Sequence, residues 1–135
     1  MALYALTSET VTVNSVDYTD HIKAATLTVD AAQLDTTDFA SAGWTEVIGG
    51  LKSGTLAIEF MDDVADNDLD EELWALLGTV VTFTVKPTSA SVSASNPSYS
   101  GSVLITSHSL GGAVGDLASK SVSWPTSGAV SRATS

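Results

Sequence analysis

Residues 107–113, Ser-His-Ser-Leu-Gly-Gly-Ala, look the most like chemistry in this chain. Ser109 follows an apolar strand and precedes two glycines, the setting of a nucleophile elbow. Three features count against that reading. Ser107 stands where an elbow needs glycine, whose missing side chain lets the strained turn form. The residues after Ser109 are glycine and β-formers, not the helix that must carry the nucleophile. The elbow triad runs Ser, acid, His in chain order, yet the only histidines are His21 and His108, both upstream of Ser109. The segment reads as a hairpin turn, and no catalytic residue is expected.

The acidic run at residues 62–72 invites a calcium reading. An EF-hand loop needs glycine at its sixth position and glutamate at its twelfth. Counting from Asp66, those places hold Glu71 and Leu77, so the register fails. Incidental cation binding at Asp62, Asp63 and Asp66 stays open, but helix capping and a solvated face explain the run more simply. With no cysteine, thiol catalysis and Cys-based zinc sites are excluded, and no cofactor or metal is expected. Trp74 and Trp124 read as core or interface residues, whereas Trp44 is the better candidate for touching a partner.

The elements that would position these groups are strand-like with one exception. Val11 and Val13, then Val16 and Tyr18, flank Asn14-Ser15, which predicts a tight hairpin. A strand over residues 26–29 faces Leu27 and Val29 inward. Residues 30–43 lose the pattern and read as a long polar loop, of the kind that is functional or disordered. Its Phe39, with Trp44 beside it, argues for a partner. A strand resumes at Trp44 and is broken by Gly49-Gly50. Leu56, Ile58 and Phe60 alternate as in a half-buried strand. Leu69, Leu73, Leu76 and Leu77 then recur at helical spacing and stop at Gly78. This predicts one short helix at about residues 67–78, capped by Asp66 or Asp68, with Asp70, Glu71 and Glu72 on its positive end. Val81, Phe83 and Val85 alternate again. Residues 88–98 are small and read as a mobile loop. Residues 99–106 and 117–124 read as antiparallel partners joined through Gly111-Gly112, and residues 125–135 as a flexible tail. The expected architecture is mainly β: one domain over residues 1–135, a sandwich or partial barrel with one flanking helix.

At 135 residues the chain is long enough for its own core. Sixteen acids against five bases give a net charge of −11, which repels phosphate and argues against specific nucleic-acid binding. Such a charge serves solubility, or lines something DNA must pass without sticking; composition alone does not separate the two. The first residues lack a basic, long-apolar signal, and no apolar run reaches the roughly 20 residues of a membrane span. Folding in the cytoplasm, with no membrane partner, is expected.

Taken in order, the pieces resemble the major tail tube proteins of long, non-contractile-tailed bacteriophages. The resemblance rests on the 13–19 hairpin, the 25–29 strand, the polar loop entering Phe39-Ala40-Ser41-Ala42-Gly43-Trp44, and the step Val47-Ile48-Gly49-Gly50-Leu51. It continues through the Leu56 strand, the Asp-rich helix, the 80–86 strand, Tyr99-Ser100-Gly101 and a closing strand. It covers nearly the whole chain; residues 88–98 depart from it in being poor in bulky side chains.

That resemblance implies a non-enzymatic virion protein, assembled in the bacterial cytoplasm into hexameric rings that stack as the tail tube. Strands of each subunit would join a continuous inner sheet, and an acidic lumen would repel DNA over about 8–10 Å as it is ejected. The implied partners are the chain itself, a tape-measure protein and tail-completion proteins, with DNA passing unbound. Asp35, Thr36, Thr37, Asp38, Phe39 and Trp44 would form the ring-stacking loop, and Leu69, Leu73, Leu76 and Leu77 the packing face of the helix. The rival readings are a β-sandwich binding or decoration module, for instance for carbohydrate, and the tube subunit of a contractile injection or secretion system.

Overall fold

The computed structural model describes residues 3–63 and 69–135. Strand β1 (Thr10–Val13) turns directly into β2 (Val16–Asp17), with Val13 paired to Val16. Asn14 and Ser15 between them hold φ of 53° and 65°, the backbone that a two-residue turn needs to match strand twist. Then follow β3 (Ile22–Asp35), β4 (Val47–Met61), helix α1 (Leu69–Leu76), β5 (Val80–Lys86), β6 (Ser98–Leu104), β7 (Ser119–Pro125) and β8 (Ser131–Ala133). All pairings are antiparallel and make two sheets, β2-β1-β5-β6-β8 and β3-β4-β7.

Alternation decides what lies between the sheets. Leu56, Ile58 and Phe60 of β4 face Val11, Val13, Val81 and Phe83 of the other sheet, with Val122 and Trp124 beside them, all buried. Phe60 is the hub: its ring lies 6.1 Å from Tyr18, edge-on at 86°, and 6.2 Å from Trp124. Truncating it to alanine would cost about 3–5 kcal/mol in lost burial and cavity. Helix α1 covers one end of this core with Leu69 and Leu73, and the Tyr18 hydroxyl donates to Glu72 at 2.5 Å. On one flank the sheets are stitched together. The Thr126 N–H donates to the Gly54 carbonyl (2.9 Å) and the Ser127 N–H to Ser102 (2.8 Å), while Thr126 bridges Val103. The result is a β-sandwich closed along one side.

Several expectations need correction. Residues 30–35, expected as loop, continue β3, paired through Asp35 to Val47. They lack alternation because both of their faces are exposed, so no buried side imposes it. Gly49-Gly50 does not break β4. At Gly50 a side chain would meet Leu34 at 3.2–3.3 Å, across a register shift between Ala31 and Gln33, so glycine there lets the strands approach. The 99–106 and 117–124 segments are not partners: β6 pairs β5 and β8, whereas β7 pairs β4 in the opposite sheet. The residues between them cross from sheet to sheet, since Val122 and Trp124 have to meet Leu56 and Ile58. The 125–135 tail is ordered on the fold, with β8 pairing Arg132 to Tyr99. The 88–98 loop closes round Asn96, whose side chain accepts from the Thr88 N–H (3.1 Å) and donates to the Ala90 carbonyl (2.8 Å). The expected caps Asp66 and Asp68 lie outside the described residues.

Candidate assembly surface

Beyond Val29 and Gly54 the β3–β4 hairpin leaves the sandwich and continues as a two-stranded arm, residues 29–35 against 47–53. At about 3.3 Å per residue it reaches some 20 Å past the core. Its tip is built locally. Asp38 accepts from the Ala40 N–H (3.0 Å) and Ser41 answers with its hydroxyl to the Asp38 N–H (3.1 Å), a capping box on the 3-10 turn Phe39–Ser41. Ala42 then takes a left-handed φ of 55°. Asp35 accepts from the Thr37 N–H at 2.8 Å, and the Thr37 hydroxyl and amide hold its carboxyl below the ordinary carboxylate value. Thr36 donates its N–H to the Glu46 carbonyl, tying the tip across. This scaffolding thrusts Phe39 and Trp44 outward, 108% and 78% exposed, over a groove between them. Leu34, Val47, Ile48 and Leu51 are exposed along the shaft. A bare two-stranded ribbon is marginal in water, and this one carries apolar side chains on a stretch with no core beneath it.

The sheet edges differ. The five-stranded sheet ends in β2 and β8, of two and three residues, short edges of the kind that discourage pairing with another chain. The three-stranded sheet ends in β3, 14 residues long, and β7, seven residues long. Its outward face is uniform: one cross-strand row is Thr26, Ala57 and Ser123, and the next toward the helix is Ala24, Glu59 and Ser121. None of the exposed large hydrophobic side chains lies on these rows.

At the helix end a polar cluster is buried instead of exposed. Lys120 takes a core position on β7, its side chain fully buried, with Nζ 3.0 Å from Asp70 Oδ1 and 3.3 Å from Asp62 Oδ1. The Asp62 contact is close enough for ion pairing but is misaligned for a hydrogen bond. That carboxylate, 1% exposed, therefore has a charge partner and no hydrogen bond among the described residues. His108 Nε2 lies 3.1 Å from the same Asp70 oxygen. The Lys120 hydrogen bond, aided by the charges of Lys120 and His108, holds Asp70 below the ordinary carboxylate value against the opposing effect of burial. Nothing in the charge pattern flagged Lys120; its inward place in the alternation Lys120, Val122, Trp124 was the available signal.

The remaining candidate residues fall as follows. Ser109 is followed by irregular chain up to β7, so the strand-turn-helix of a nucleophile elbow is not formed. No three His, Asp or Glu side chains converge on a metal site among the described residues. Of the helix leucines, Leu69 and Leu73 are buried and Leu76 packs against the core. Leu77 is 40% exposed, because the helix ends at Leu76 and the chain turns away through Gly78 at φ 85°. Trp124 is buried, donating to the Ser107 carbonyl at 3.3 Å, whereas Trp74 is 64% exposed against the edge of His108.

No protein-family model matches the chain, and no curated protein sequence does. Solved structures do. A chain from the virion of a native gene transfer agent particle superposes with a TM-score of 0.67 at 24% identity, covering 83% of this chain and 84% of that one. A chain from the tail of an empty gene transfer agent particle, solved with helical refinement and C6 symmetry, gives 0.66 at 24% identity, covering 82% and 81%. At that identity the likeness is one of fold. The mainly β, two-sheet architecture with one helix is that of a tail-tube-like fold.

Proposed function

We propose that this chain is a structural subunit of a phage-like tail tube, without a catalytic role. Copies join edge to edge through the three-stranded sheet into rings, hexameric by analogy with the C6 tail that shares the fold, and the rings stack through the arm. The tube conducts DNA, is built in the host cytoplasm, and takes a tape-measure protein and tail-completion proteins as partners. The carrying observation is the arm: a two-stranded ribbon presenting Phe39, Trp44 and Leu51 to water, formed by the far end of a 14-residue edge strand. Both features are hazards in a monomer, and ring closure with stacking removes both.

Negative-stain microscopy of concentrated protein tests this and should show rings or hollow tubes. Deleting residues 35–42 should leave a folded subunit that forms no tubes. Normal tubes from that deletion would refute the stacking role. A strictly monomeric protein that binds glycans through Phe39 and Trp44 would favour a decoration module instead.

A further inference from the structure

The acid excess of the whole chain does not describe the surface that a joined three-stranded sheet would present. Sixteen acids are spread over 135 residues, yet the outward rows of β3, β4 and β7 are mostly serine, threonine and alanine, with Pro125 and Met61 at their two ends. Two carboxylates interrupt them: Glu59 within the sheet and Asp30 at the root of the arm. Lys23 lies exposed in the bulge between Ile22 and Ala24, at one end of these rows, and Lys52 shares the core side of β4 with Gly54 and lines a groove with Val130. Lys120, the one lysine on β7, is buried.

We infer that this hydroxyl-and-methyl face is the wall a passing polyanion meets, and that Glu59 is the residue that sets its repulsion of phosphate. The inference rests on the tube reading and sharpens it. Only the sheet with long free edges is able to continue from subunit to subunit, so its outward face lines whatever the ring encloses. The arm, Leu3 to Leu6, Trp74, and Leu110 to Leu117 carry apolar side chains suited to contacts. The outward face of the five-stranded sheet is also rich in hydroxyls, with Thr12, Thr84, Ser100 and Ser131 in one row, but that sheet ends in the two-residue β2 and the three-residue β8 and so is not the one that continues around a ring. Short hydroxyl and methyl groups offer a duplex no long cationic or aromatic side chain to grip, so non-binding comes chiefly from what is absent. The carboxylate, repeated once per subunit, adds a ring of negative charge.

Two measurements test this on assembled tubes. The chain has no cysteine, so Ser123→Cys gives a single reporter on the face and Glu71→Cys one on the helix. A small maleimide should label Ser123→Cys equally before and after assembly, while a polymer-linked maleimide should lose access on assembly; Glu71→Cys should keep both. Thr28→Cys serves as a second reporter on the same face if Ser123→Cys assembles poorly. Loss of both reagents would place the face in a subunit contact, and retention of both would place it outside; either overturns the inference. Charge reversal at Glu59 is the second measurement. Tubes of Glu59→Lys should retain about tenfold more short duplex DNA than tubes of Glu71→Lys, with a steep fall as salt rises. Equal retention by the two variants would overturn the role of Glu59 while leaving the tube reading intact. Absence of tubes from the unaltered protein would remove the tube reading itself, and the inference with it.

Discussion

Replacing Lys120 with methionine is the sharpest test of how the helix end is held. Its ammonium, fully buried, lies 3.0 Å from Asp70 and 3.3 Å from Asp62. At an effective dielectric of about 20 each contact is worth roughly 5 kcal/mol of gross attraction, and desolvating the ions costs several kcal/mol apiece. Gross gain and cost nearly cancel, so the pair adds little net stability. Removing one partner is different, because Asp62 at 1% exposure is then left charged and unpaired. That one-sided loss is expected to cost about 3–5 kcal/mol, near 10–15 °C in melting temperature for a domain of this size. The double variant Lys120→Met with Asp62→Leu removes both charges at similar volume and should recover most of the loss. Urea denaturation of the dilute subunit gives all three stabilities and their coupling. A Lys120→Met variant within about 1 kcal/mol of the parent, or a double variant as unstable as the sum of the singles, would refute the argument.

Other outcomes follow from the same contacts. Asp70 has its carboxyl held below the ordinary 3.8, so its contribution is complete above the unfolded value and is lost as pH falls through the lower folded one. Stability should therefore decline in acid below about pH 4, and Lys120→Met should flatten that decline in a pH series of melts. At the first hairpin, Ser15→Gly relieves a left-handed backbone (φ 65°) and should stabilise by about 0.5–1 kcal/mol, read as an upward shift in urea midpoint. Gly54→Ala places a methyl 3.0 Å from the Thr28 carbonyl and 3.1 Å from Thr126, at the seam where the sheets are stitched. It should destabilise by about 1–3 kcal/mol in the same assay. In the arm, Thr37→Val removes the hydroxyl beside Asp35 and should raise that carboxyl toward its ordinary value, followed by NMR titration.

What could be read in advance tracked burial. Leu56, Ile58 and Phe60, and again Val81, Phe83 and Val85, alternate because one side of each strand meets a core, and Asn14-Ser15 marks its turn through the φ it must adopt. The arm was illegible for the complementary reason: with both faces of residues 30–35 exposed, no burial writes a period into the sequence. Strand order was misread at β6 and β7, because nearness in sequence suggests pairing, whereas the partner of Trp124 is fixed by Leu56 in a distant strand. Of the residues proposed for assembly, Phe39 and Trp44 stand out as aromatics among polar neighbours. Leu34, Ile48 and Leu51 do not, since ordinary strand residues declare themselves only when nothing covers them.

On the proposed tube reading, a subunit that holds its greasiest hairpin clear of its own interior has to survive the interval before it meets its neighbours. The surplus of eleven negative charges fits that interval: it spaces free copies apart in solution by mutual repulsion that fades at contact range and with added salt. Growth is then favoured where copies arrive in the one orientation that buries enough hydrocarbon to overcome the repulsion. Ionic strength becomes a dial on the onset of polymerisation, distinct from the stability of the finished filament.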